Sequence, residues 1–136
     1  MKLIVCVDDK FGMMFNKRRQ SKDSELIKDL LVLIDGGKIL INEYSRNLFP
    51  EGSAYVVDDF TQATMEDYVF VENVLASELQ NQIEELIVYN WNRRYPSDFY
   101  FDIDLSSGWE LMETYEFKGS SHENIRRERY KRETCA

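Results

Sequence analysis

The chain is poor in residues that punctuate or staple a fold. It has two prolines and six glycines in 136 residues, and no low-complexity stretch or solenoid repeat. Its two cysteines lie at opposite ends. Cys6 falls in an apolar run and reads as core, whereas Cys135 falls in a polar tail. A disulfide framework is therefore not expected, which fits a reducing, cytoplasmic setting. A single histidine, His122, cannot supply a dinuclear zinc centre, which needs several imidazoles or thiolates with carboxylates. No apolar run approaches the roughly 20 residues of a membrane span, and no charged-then-apolar leader opens the chain, so no membrane partner is expected. What remains is 43% hydrophobic with a net charge of −8. That is enough for one core in one α/β domain, residues 1–132, with a frayed tail at 133–136. The acidic balance argues against nucleic acid coating the whole surface, though not against a local basic patch.

Periodicity orders the elements. KLIVCVD (Lys2–Asp8) is an almost continuous apolar run, the pattern of a central strand covered on both faces. Gly12 breaks it. From Ser21 the period becomes helical, with Leu26, Leu30, Leu33 and Ile34 on one stripe. Ser21 or Asp23 caps the start, and Gly36-Gly37 ends the helix in the left-handed region. KILI (38–41) is the next strand, followed by a short helix or turn over 44–49 and strands at 54–57 and 68–71. A helix over 73–83 is expected, capped by Asn73, with Leu75, Leu79 and Ile83 buried. Strand 85–91 follows, and 109–117 with 124–132 form a closing pair about a turn at Lys118-Gly119-Ser120. Strands alternate with helices and finish as a hairpin. This order predicts a mostly parallel central sheet with a C-terminal antiparallel hairpin.

Several polar groups could carry chemistry. His122, in GSSHENI, reads as a solvated turn residue, with Ser120, Ser121 and Glu123 as the only nearby partners for base catalysis. Asp8-Asp9 reads as a turn at the carboxyl end of a strand, with divalent-metal binding alongside Glu72 as the sharper alternative. Tyr89, Trp91, Tyr95, Phe99, Tyr100 and Phe101 read mainly as core. Trp91 and Tyr95 beside Arg93-Arg94 could instead stack on a planar ligand. Asp102 and Asp104 read as a solvated edge. The basic run from Arg126 to Arg132 reads as charge protection of an edge strand, with nucleic-acid contact as the alternative.

In order of elements and in scattered residues the chain resembles dihydrofolate reductase over nearly its whole length. LIVCVDDKFGMMFN is similar to that family's first strand and the loop after it. SKDSELIKDLLVLIDGGKILINEYSRNLF is similar to its acidic helix start, helix and second strand. EELIVYNWNRRYPSDFYFDID and GWELMETYEF resemble its late strands. The resemblance implies a shortened dihydrofolate-reductase-like fold. It also implies a pterin-side carboxylate early in the first helix, at Asp23 or Glu25. The cofactor side departs from the family. Glu72-Asn73 stands where a glycine pair should let the backbone approach diphosphate. Asn42-Glu43-Tyr44-Ser45-Arg46 replaces a phosphate-gripping Gly-Arg segment, and the link between strands 54–57 and 68–71 is short. NKRRQ takes the place of the family's proline-tryptophan pair. These replacements argue against a conventional NADPH site and against the usual reductase activity. A divergent NADPH-dependent reductase is the alternative. The opening also resembles small Firmicute proteins sometimes labelled ribonuclease Z, a label that one histidine does not support.

In the family the loop after the first strand lies against the loop after the late strand. The resemblance therefore brings Lys17, Arg18 and Arg19 towards Arg93 and Arg94. Such a cationic rim in an acidic protein implies an anionic small molecule, a nucleotide or a nucleic-acid end as partner. Lys17, Arg18, Arg19, Trp91, Arg93, Arg94 and Tyr95 are the expected ligand-binding set.

Overall fold

KLIVCV forms β1 (Lys2–Val7) in the middle of a seven-stranded sheet in the computed structural model, which describes residues 1–133. The run is continuously apolar because its two faces serve two cores. Leu3, Val5 and Val7 enter one and Ile4 enters the other. Each such side chain, removed from water, contributes roughly 2 kcal/mol.

Gly12 begins a strand rather than simply breaking one. β2 (Gly12–Phe15) turns through Asn16 and Lys17, both at positive φ (51° and 61°), into the two-residue β3 (Arg18–Arg19). Two consecutive left-handed residues are the signature of a mirror-image hairpin turn. The chain then enters α1 (Ser24–Ile34). Asp23 caps it by accepting from Glu25 N, and Leu26, Leu30 and Ile34 are buried. Asp35 (φ 43°) and Gly36 (φ 77°) end the helix, and Gly37 N donates to Ile34 O at 2.7 Å.

β4 (Ile39–Ile41), a 3₁₀ turn at Glu43–Leu48, β5 (Tyr55–Val56) and β6 (Tyr68–Phe70) follow. The expected helix over 73–83 is instead a 3₁₀ segment, Ala76–Gln82. Its buried residues are Ala76 and Leu79, three apart as a 3₁₀ repeat requires, and Leu75 is 37% exposed. Asn73 does not cap it, because its side-chain oxygen accepts from Asn42. α1 is thus the only α-helix among the described residues, and turns and loops cover the opposite face of the sheet.

β7 (Glu85–Asn90) lies parallel to β1, and β8 (Phe99–Tyr100) pairs with β2 to complete a small sheet ordered β3-β2-β8. β9 (Trp109–Phe117) and β10 (Ile125–Arg132) form the closing hairpin. The main sheet runs β5-β4-β6-β1-β7-β10-β9, parallel as far as β7 and antiparallel beyond. This is the α/β architecture that the order of elements predicts. Of the tail expected at 133–136, Glu133 N donates to Gly108 O, and the remainder, with Cys135, lies outside the described residues.

The basic run of β10 does not guard an edge. β10 is interior, and its charges join neighbouring elements. Arg127 reaches Asp29 on α1 and Glu113 on β9, both at 2.7 Å, and Arg129 reaches Glu85 on β7 at 2.6 Å. Tyr89 donates to the same Asp29 at 2.7 Å. The edge on this side is β9, where exposed Glu110 and Glu116 supply the like charge that discourages strand addition. Asp102 and Asp104 lie outside any strand. Asp102 accepts from Ser77 and Asp104 from Ser106. No helix among the described residues is long and apolar enough to cross a membrane.

Candidate functional site

Open α/β sheets place ligands beyond the carboxyl ends of their parallel strands. Here that region lies where β1 delivers Asp8, β6 delivers Glu72 and the start of α1 delivers Asp23. Cys6, Met13, Arg19, Ser21, Asp23, Leu26, Phe70, Glu72 and Trp91 are among the residues around its cavity. The cavity measures about 20 Å³, close to the space of one water. Burial pushes the Cys6 thiol well above its ordinary range, with Glu72 adding to the effect.

Glu72 is buried and neutralised from a distance. Arg19 donates to both of its oxygens, at 2.8 and 3.0 Å, and Ser45 Oγ donates at 2.7 Å. Arg19 is itself fixed: its guanidinium lies 4.9 Å from the Tyr44 ring centre and donates to Tyr44 O at 3.2 Å. Hydrogen bonding to Glu72 raises the Arg19 pKa further, against the cost of its own burial. The carboxylate expected to repel cofactor phosphates is therefore half of an internal ion pair. Arg19 points inward to it and does not stand with the outer cations. Arg46 pairs with Glu43 at 2.9 Å on the surface.

Asp23 is buried too, without a guanidinium. Its Oδ1 accepts from Glu25 N, Ser120 N and Ser120 Oγ at 2.9, 2.8 and 3.0 Å. Its Oδ2 accepts from Ser121 N at 2.9 Å and meets His122 Nδ1 at 2.9 Å. Burial alone would raise its pKa. The hydrogen bonds from Ser120, His122 and Ser121 outweigh that and hold it well below the usual carboxylate range. Gly119 permits this closure, because a Cβ there would press into the Asp23 carboxylate and lie 2.9 Å from Ile125 Cδ1. Glu25 projects from the first turn of α1 and pairs with Lys28 at 3.2 Å.

His122 is not a solvated turn residue. It is 5% exposed, its ring stacks on Trp91 at 4.6 Å, and its Nε2 meets Ser21 Oγ at 3.1 Å and Tyr95 Oη at 2.9 Å. One face of Trp91 is thus covered by an imidazole. Nothing local in GSSHENI announces this burial.

Asp8 behaves as a turn carboxylate. It accepts from Lys10 N and Gly12 N through Oδ1, and from Tyr95 N, Ser97 Oγ and Gln20 Nε2 through Oδ2. Burial raises its pKa, but these bonds win and lower it. The described residues contain no group of three or more His, Cys, Asp or Glu placed to hold a metal.

The loops after β1 and β7 do adjoin. Asp9 N donates to Arg93 O at 2.9 Å, and Asn16 N donates to the Asp98 carboxylate at 3.1 Å. The cations nevertheless divide. Lys17 borders a hollow with Tyr44, Asn73 and Asp98. Arg94 borders a separate groove of about 460 Å³ with Lys10, Tyr95, Ser97 and Tyr100. Arg18 and Arg93 are exposed. Lys10 is a member of this groove that sequence reasoning missed, and its place directly after Asp8-Asp9 was the available signal.

No protein-family model matches the chain, and no curated protein matches it. Among solved structures it is similar to a dihydrofolate reductase from Enterococcus faecalis complexed with NADP(H) and RAB-propyl. The TM-score is 0.70 over 98% of this chain and 96% of that one, at 12% identity. The ribonuclease Z likeness finds no support. At that identity the match shows the architecture alone: the chain has a dihydrofolate-reductase-like fold.

Proposed function

We propose that this protein uses a reductase-like fold without the reductase reaction. It binds a small anionic or nucleotide-like molecule in the groove between the loops after β1 and β7. Two features support the loss of reduction. The Arg19–Glu72 pair occupies the end of β6, where a dinucleotide would need bare backbone. Asp23, the buried carboxylate at the helix start, has both oxygens engaged by the β9–β10 loop.

The observation that carries the binding reading is the pair Lys10 and Arg94. Both are exposed and share one groove, and neither has a carboxylate within 4.0 Å among the described residues. Asp8 also lines the groove, but its oxygens are taken up by the Lys10, Gly12 and Tyr95 amides and Ser97 Oγ, so two cations without an ion-pair partner favour an anion between them. Tyr100, 46% exposed, offers a ring for a planar group. Lys17, Arg18 and Arg93 extend positive charge along the neighbouring loops, and Tyr95 lines the groove. Arg19 and Trp91 support the loops from within.

Thermal melting at low salt with inorganic phosphate, AMP and ATP tests this reading. A rise in Tm with at least one of them, abolished in Lys10→Ala/Arg94→Ala, is expected. No shift with any of the three, or a shift the double variant retains, overturns it. NADPH fluorescence should be unchanged on mixing, and clear energy transfer would favour the divergent reductase. Binding of a short oligonucleotide with a steep salt dependence would favour the nucleic-acid reading.

A further inference from the structure

Ser21, His122 and Asp23 form a relay that the proposed binding groove does not use. Asp23 Oδ2 sits 2.9 Å from His122 Nδ1, and His122 Nε2 sits 3.1 Å from Ser21 Oγ. Both the acid and the base are buried, at 4% and 5% exposure, whereas Ser21 is half-exposed on the rim of the cavity. Ser21 Oγ makes no other hydrogen bond among the described residues.

The roles follow from donors and acceptors. Asp23 remains ionised, held so by amides and hydroxyls of Ser120 and Ser121. It accepts at Nδ1, so that nitrogen carries the ring proton and Nε2 presents its lone pair. The Trp91 ring fixes the plane of the imidazole. Two hydroxyls compete for the lone pair, those of Ser21 and Tyr95. The cavity wall is mixed: Leu26, Ile27, Leu48, Phe70 and Trp91 give it an apolar side, and Gln20, Lys22 and the Arg19–Glu72 pair a polar one.

We propose that Ser21 is a nucleophile for acyl transfer from esters of short carboxylic acids, with His122 as its general base and Asp23 as the group that orients the imidazole and stabilises it once it has taken the proton. The Ser21 oxygen bonds to the acyl carbon, its proton passes to His122 Nε2, and the ester C–O bond breaks. His122 then returns the proton to the departing alkoxide. Water attacks the acyl-serine by the same route, His122 taking its proton, and releases the acid with the serine hydroxyl restored. A cavity of about 20 Å³ restricts the acyl group to something the size of acetyl. Tyr95 restrains the reaction by occupying Nε2.

The test pairs p-nitrophenyl acetate turnover with labelling by the small methanesulfonyl fluoride, located by mass spectrometry, on the full chain. One label at Ser21 is expected, lost in Ser21→Ala and slowed roughly 100-fold or more in His122→Gln. Tyr95→Phe, which frees Nε2, should label several-fold faster, whereas a purely structural network would give no gain. Should His122→Gln not fold, the Ser21→Ala loss and the Tyr95→Phe gain carry the test together. Ester turnover undiminished in Ser21→Ala, a label absent from Ser21 in both the parent and Tyr95→Phe, or labelling no faster in Tyr95→Phe than in the parent each overturns the assignment.

Discussion

Asp23 and Glu72 are both buried beside the same cavity, yet they are held in opposite ways. Glu72 rests on one guanidinium and one hydroxyl, brought from β3 and from the 3₁₀ turn after β4. Asp23 rests on several amide and hydroxyl donors and an imidazole, nearly all from one loop. A charge matched by one opposite charge is brittle, because losing the partner strands it in low dielectric. A charge matched by many dipoles is graded, since losing one donor leaves the rest. The first arrangement closes a site. The second also leaves an oriented imidazole available for chemistry.

Arg19→Met should produce the largest loss, about 3 kcal/mol in urea denaturation, because Glu72 keeps only Ser45. The double variant Arg19→Met/Glu72→Leu should recover most of it. If the double variant is no better than the single, Glu72 is not the stranded charge. Asp23→Asn should cost less, about 2 kcal/mol at neutral pH, since an amide NH₂ would face groups that all donate. Its pH dependence sharpens the contrast. The folded pKa of Asp23 is depressed, so its contribution is fully present above the unfolded value, about 3.9. It is lost as pH falls towards the folded value. The gap between wild type and Asp23→Asn should therefore hold steady above about pH 5 and narrow below about pH 4; a gap that widens in acid contradicts the account.

Gly119→Ala should cost about 1–2 kcal/mol by pressing a methyl on Asp23 and Ile125, with little effect at Glu72. A chemical-shift change at Arg19 and Ser45 as large as that at His122 would show that the two sites are not separate. The smallest effect is a gain. Lys17→Gly relieves a left-handed lysine in the turn that delivers Arg19, and should add up to about 1 kcal/mol. An unchanged melting temperature would mean that the turn carries no strain.

Much of the fold was legible because it is written in short-range pattern. The two-faced apolar run of β1, the Leu26–Leu30–Ile34 stripe of α1 and the closing hairpin are each recognisable within about ten residues. β2, β3 and β8 were not, because they lie apart from the main sheet and depend only on one another across the chain. The 3₁₀ segment at Ala76–Gln82 was misread as α because spacings of three and four coexist in VLASELQNQI. The site was legible only in parts. That Glu72 departs from a phosphate-binding pattern was visible in its place after YVFV, but its partner Arg19 lies in a run of three cations with nothing to single it out. His122 looked solvated because serines and a glycine surround it, and those same serines turn out to satisfy Asp23.

The central place of β1 also has a consequence in time. Its neighbours are Tyr68–Phe70 and Glu85–Asn90, so the strand has neither partner until Phe70 has been made, and lacks the second until Asn90. At typical synthesis speeds of roughly 5–20 residues per second, KLIVCV waits on the order of 3–13 s as an unpaired β segment with an apolar centre. That interval makes the first strand the segment on which a nascent chain can mispair with another copy, and the segment a chaperone would cover.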